Sequence, residues 1–151
     1  MEQTTCKSHS VRLLNAIYQN AKDVCDTLLS ILPKVRDERL KNDVTVQISR
    51  CDGFATRAAK LLAEEGGKPM ERSKLDRMKA GMRVRIAAAR DSKPMHLAGM
   101  IRSEVQAGAR AVLCRIREAE AENVSGEPLR LAKHLCEYEE NIAEEMKSYL
   151  R

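Results

Sequence analysis

Aromatic side chains are nearly missing from this chain, which has no Trp, one Phe and three Tyr in 151 residues. A core built from it must therefore be aliphatic, and few rings are present on which single-stranded bases would stack. The five cysteines, Cys6, Cys25, Cys51, Cys114 and Cys136, are odd in number and widely spaced, with no Cys-x-x-Cys pair. That argues against a disulfide framework or a zinc knuckle, and free thiols suit a reducing cytoplasm. The opening stretch MEQTTCKSHS has no apolar secretory core. No run approaches the roughly 18 apolar residues of a membrane span. The expectation is a soluble cytoplasmic protein.

Proline is also scarce. Pro33, Pro69, Pro94 and Pro128 cut the chain into helix-sized pieces, and each piece carries apolar residues at the helical period. Segment one, about 8–32, places Leu14, Ile17, Tyr18, Ala21, Val24, Cys25, Leu28 and Leu32 on one stripe before Pro33. Segment two, about 34–65, has Leu40, Val44, Ile48, Cys51, Phe54, Ala55, Ala58, Leu61 and Leu62, then Gly66-Gly67 as a left-handed stop. Gly53 lies inside it, which suggests the close approach of a neighbouring helix. Segment three, about 70–90, has a narrow stripe of Leu75, Met78, Met82, Ile86 and Ala89. Segment four, about 94–122, follows Asp91-Ser92, read as its capping pair. Segment five, about 126–150, starts after Ser125-Gly126.

Apolar residues make up 43% of the chain, enough for one core in a single domain over residues 1–151. Four of the segments match in length. Four matched amphipathic helices are expected to close as an all-α antiparallel four-helix bundle, with segment three as a short basic connector between the second and third long helices.

Charge is unevenly placed. The chain carries net +5, whereas residues 68–93 hold nine basic and three acidic side chains, and residues 118–145 hold nine glutamates and two basic side chains. The basic stretch has four readings. Its Leu/Met stripe lies on the bundle with the charges solvated or meeting the acidic fifth helix, which is the first choice. Otherwise it serves a membrane surface, a nucleic acid, or the acidic helix of a partner. The residues that would carry contact are Arg72, Lys79, Arg83, Arg85, Arg90, Met78 and Met82.

Certain stretches resemble a known group. They are Leu14-Asn15-Ala16-Ile17-Tyr18-Gln19-Asn20-Ala21-Lys22, the turn Leu32-Pro33-Lys34-Val35, the Met-rich basic connector, and Tyr138-Glu139-Glu140-Asn141-Ile142 with Met146-Lys147-Ser148-Tyr149-Leu150. On these the chain resembles small, uncharacterised bacterial ferritin-like four-helix bundle proteins. The resemblance implies a fold rather than an activity. Metal-binding ferritin-like proteins carry a Glu on each of two helices and Glu-x-x-His on each of the others, and that set is not found. Glu104 falls near the centre of the fourth stripe, Glu139 at the edge of the fifth, and His134 off the stripe. Counted from the turn near Ser125, the two carboxylates differ in height by roughly 9 Å, too far to clasp one ion.

Cys and His are scattered, with no Cys–His pair close in sequence, and Cys25 and Cys51 read as small core hydrophobes while Cys114 and Cys136 lie more laterally. Gly66-Gly67-Lys68 lacks the spacing of a phosphate loop. His96 reads as a surface or capping residue. The expected function is a non-enzymatic helical module without a cofactor, acting through protein interaction or as a homo-oligomer, with small residues (Gly53, Gly108, Ala55, Ala58, Ala111) permitting close contacts. One alternative is a metal-handling protein binding iron or another divalent transition metal through Glu104, Glu139 and His134. The other is a membrane- or nucleic-acid-associated module working through 68–93.

Overall fold

The structure, a computed structural model, describes the backbone of residues 2–151 and the side chains of residues 7–151. Cys6, counted above among the free thiols, lies outside the described side chains. Every described element is a helix: α1 (Glu2–Ile31), α2 (Glu38–Glu64), α3 (Lys74–Arg90), α4 (Pro94–Ala121) and α5 (Glu127–Met146), with 3-10 turns at Leu32–Lys34 and Lys147–Tyr149. None is long and apolar enough to cross a membrane.

The boundaries follow local chemistry. Pro33 sits inside the 3-10 turn, and Val35 continues extended and buried. Helix α2 therefore starts at Glu38 rather than at residue 34, where the Asp37 carboxylate accepts from the Leu40 amide at 2.8 Å. Its end is a Schellman turn: Gly66 has φ +76°, its amide donates to the Ala63 carbonyl, and the Gly67 amide donates to the Leu62 carbonyl at 2.8 Å. Asn123, at φ +61°, ends α4 in the same way, with the Val124 amide on the Ala119 carbonyl. Helix α3 starts at Lys74, not at residue 70, because Ser73 Oγ accepts from the Asp76 amide. The expected Asp91-Ser92 cap of α4 is not used: Lys93 is its N-cap, with no side-chain bond, and Pro94 opens the helix.

Gly53 corrects another expectation. It is exposed, and a Cβ built there meets nothing within 4 Å, so no neighbouring helix requires it. Gly53→Ala is therefore expected to stabilise the protein by about 1 kcal/mol, because only the glycine penalty of a helix interior is removed. Urea titration checks this, and a loss of stability would show a hidden contact.

The core forms two apolar clusters stacked along the helices. One joins Leu14 and Ile17 of α1 with Ala58 and Leu62 of α2, Val112 and Ile116 of α4, and Leu131 and Leu135 of α5. The other joins Leu28 and Ile31 with Leu40 and Val44, Leu97 and Ile101, and Ile142 and Met146. The first half of α1 thus shares a cluster with the second halves of α2 and α4 and the first half of α5. Helices α2 and α4 run antiparallel to α1, and α5 runs parallel to it. Because α2 and α4 point the same way, the chain between them must travel the length of the molecule.

That crossover climbs the outside of α1. The Met70 amide donates to Asn15 Oδ1 at 2.8 Å, and Tyr18 donates to Glu71 at 2.6 Å. Arg72 pairs with Asp23 at 2.7 Å. Arg77 forks onto Asp26 through two bonds of 3.0 and 3.1 Å. The hydrogen bond to Glu71 raises the Tyr18 pKa to about 12 and holds the Glu71 carboxyl below its ordinary range. These contacts fix the start of α3 and so decide which of its faces turns outward.

Candidate functional site

Two features depart from an ordinary helical core. The first is a polar layer where the apolar clusters meet. Glu139 is fully buried, not at the edge of its stripe, and neither carboxyl oxygen has a hydrogen-bond partner. It lies against Gly108, where a Cβ would come 2.7 Å from Glu139 Oε2 and 3.2 Å from Asn20 Oδ1. Asn20 Nδ2 donates to the Gly108 carbonyl at 3.0 Å, while its Oδ1 is buried without a donor. Burial first, then the charge of Glu104, pushes the Glu139 pKa up to about 8. The carboxyl is therefore mostly protonated at neutral pH, which relieves the cost of an unpaired buried charge.

Next to this layer, the Tyr138 hydroxyl donates to the side-chain carbonyl of Gln47, and its ring packs 5.2 Å from Phe54. Gln47 Nε2 donates to Glu145 at 3.3 Å. Gln47 is itself buried.

Of the expected ligands, Glu104 and Glu139 act on each other through charge. Glu104 is half-buried, and its carboxyl is raised by burial and by Asp23 against a hydrogen bond from Thr27. It therefore faces the α1 side, one helical turn from the Gly108 level where Glu139 sits. His134 is exposed. Among the described residues, no group of three or more His, Cys, Asp or Glu is placed to hold a metal ion. Cys136 is buried rather than lateral, and burial raises the Cys51 thiol to about 12 and the Cys136 thiol to about 11. These are thiols, not thiolate nucleophiles.

The second feature is the outward face of α3, and it overturns the intramolecular reading. Leu75, Met78, Met82 and Ile86 are 60%, 68%, 61% and 49% exposed, so the stripe does not lie on the bundle. Helix α3 instead packs through its small-residue side, where Ala88 is buried and a Cβ built at Gly81 would come 3.5 Å from Ser30 Oγ. The forked Arg77–Asp26 pair fixes that orientation. Leu29 of α1 adds exposed apolar surface beside Met78 and Met82. Between α1 and α3 runs a groove of about 420 Å³, with Leu29, Met78 and Met82 in it and Lys74 and Arg85 beside it.

The basic residues separate into two sets. Arg72 and Arg77 are consumed by Asp23 and Asp26. Lys79, Arg83, Arg85 and Arg90 are exposed and enter none of the ion pairs among the described residues. Of the expected contact residues, Met78, Met82 and these four share the open surface.

No protein family, no curated protein and no solved structure matches this chain.

Sequence reasoning missed Asn20 as a member of this layer and read Gly108 only as a small residue permitting close contacts. Asn20 sits three residues after Ile17 on the buried side of α1, and Gly108 three after Val105 in α4. A polar side chain and a glycine flanking apolar stripes on different helices are the available signal for a polar layer, but their meeting requires the helix pairing.

Proposed function

We propose that this protein is a non-enzymatic helical module that acts by docking another protein on α3, and that its four long helices close as a ferritin-like antiparallel bundle with one crossover. The helix directions support that architecture: two helices of the same sense joined by a segment spanning the molecule fit a one-crossover bundle.

One observation carries the reading: four large apolar side chains in register on a single helix face solvent. Each leaves roughly 1 kcal/mol of hydrophobic stabilisation unused, and a contiguous apolar patch of this kind marks an interaction surface. Methionine side chains adapt to the shape of what they meet. A symmetric contact between two copies of α3 would set their basic edges against each other, so the reading takes a different protein as the partner.

The double substitution Met78→Ser/Met82→Ser tests the reading. A docking stripe contributes nothing to the isolated fold, so the unfolding free energy in urea should stay within about 0.5 kcal/mol of the parent. A stripe that packs internally would lose several times that amount, and such a loss would sink the proposal.

A further inference from the structure

Resting on that docking role, we infer that the partner of α3 is an acidic amphipathic helix, seated along the Leu75–Met78–Met82–Ile86 seam in coiled-coil fashion. The seam spacings are three, four and four residues. At about 100° per residue these positions fall within an arc of about 80°. That is one helix wide, narrower than the face of at least about 100° that a core-facing surface helix usually shows. The seam has basic residues along both edges, with Lys79, Arg83 and Arg90 on one side and Lys74 and Arg85 on the other. Flanking charges of one sign select a partner carrying the other sign at the matching positions. The groove against α1 offers Leu29 as a second apolar wall, so a partner side chain entering there meets Leu29 on one side and Met78 and Met82 on the other.

The other occupants fit less well. An interfacial membrane helix is expected to bring Trp, Phe or Leu to the lipid boundary, and residues 68–93 contain no aromatic residue and a single leucine, Leu75. A nucleic acid would use the basic edges and leave the apolar seam uncovered. The chain's own acidic segment, residues 118–145, has the right charge but shows no large exposed apolar residue to fill the seam.

The experiment uses the full chain and a fluorescent synthetic peptide of about three heptads, with leucine at the a and d positions and glutamate at e and g. A second peptide has glutamine in place of the glutamates. Anisotropy should show the acidic peptide bound at least about tenfold more tightly than the glutamine peptide, with affinity falling as salt is added. Lys79→Gln/Arg83→Gln/Arg85→Gln should remove that preference, and Met78→Ser/Met82→Ser should weaken binding of the acidic peptide at least about tenfold.

Equal binding of both peptides, lost in the methionine variant, would overturn the acidic partner and leave α3 as the docking face. Binding indifferent to the methionine variant would overturn the docking face itself. Co-sedimentation with phosphatidylcholine–phosphatidylserine vesicles without peptide binding would assign the surface to a membrane and overturn the inference.

Discussion

Glu139→Gln is expected to stabilise the protein by about 4 kcal/mol at pH 9 and to leave it nearly unchanged at pH 4. The Glu139 carboxyl titrates near 8 in the folded chain, against an ordinary value of 4.5. A raised folded pKa means that the native state binds more protons than the unfolded state between those two values. The stability linked to Glu139 is therefore fully present below about pH 4.5 and is lost as pH rises through about 8. A tenfold difference in proton affinity between the folded and unfolded chain corresponds to about 1.4 kcal/mol, which sets the size of the effect. Glutamine keeps the shape, cannot ionise, and brings an amide donor towards the orphaned Asn20 Oδ1. Urea unfolding of both proteins from pH 4 to pH 9 gives the difference directly, with the other titrating groups cancelling. Parallel stability profiles would show that the carboxyl is hydrated or paired in solution.

Gly108→Val is expected to destabilise the protein by about 2 kcal/mol at neutral pH. A Cβ at that position already comes within 2.7 Å of the Glu139 carboxyl and 3.1 Å of Asn20 Nδ2, and all three helices there are held by packing on either side. Valine adds two methyl groups to that clash, which outweighs the modest gain from removing a helical glycine. The double variant Gly108→Val/Glu139→Ala should recover at least half of the loss, because the alanine vacates the space that the valine needs. A strictly additive result would place the strain elsewhere.

The long helices were legible because each is an autonomous pattern. Leu14, Ile17, Ala21, Val24 and Leu28 repeat at a period that only a helix can bury on one side, and the structure buries all five. Gly66 was legible for the same local reason, since few other residues accept a positive φ. The small face of α3 was harder to read. Its stripe of Leu and Met outweighs Gly81, Val84 and Ala88 on any hydrophobicity count, yet the smaller residues permit the closer approach to α1. The direction was decided by Arg77 and Arg72 meeting Asp26 and Asp23, contacts between residues far beyond the reach of near-neighbour helical spacing. The surroundings of Glu104 and Glu139 were hidden for a comparable reason: both were recognised as inward-leaning, but which neighbour each faces depends on the relative rotation of α1, α4 and α5.

The order of residues alone determined that this chain is helical, where most helices stop, that its core is aliphatic, and that positive and negative charge occupy separate segments. These follow from torsional preference and near-neighbour spacing. Only the tertiary structure decided that the Leu/Met seam of α3 faces water, that Gly53 has no neighbour while Gly108 has two, and that Glu139 lies between two apolar clusters without a donor. Each of these depends on how helices rotate about their axes when packed, and a one-dimensional pattern leaves that angle undetermined.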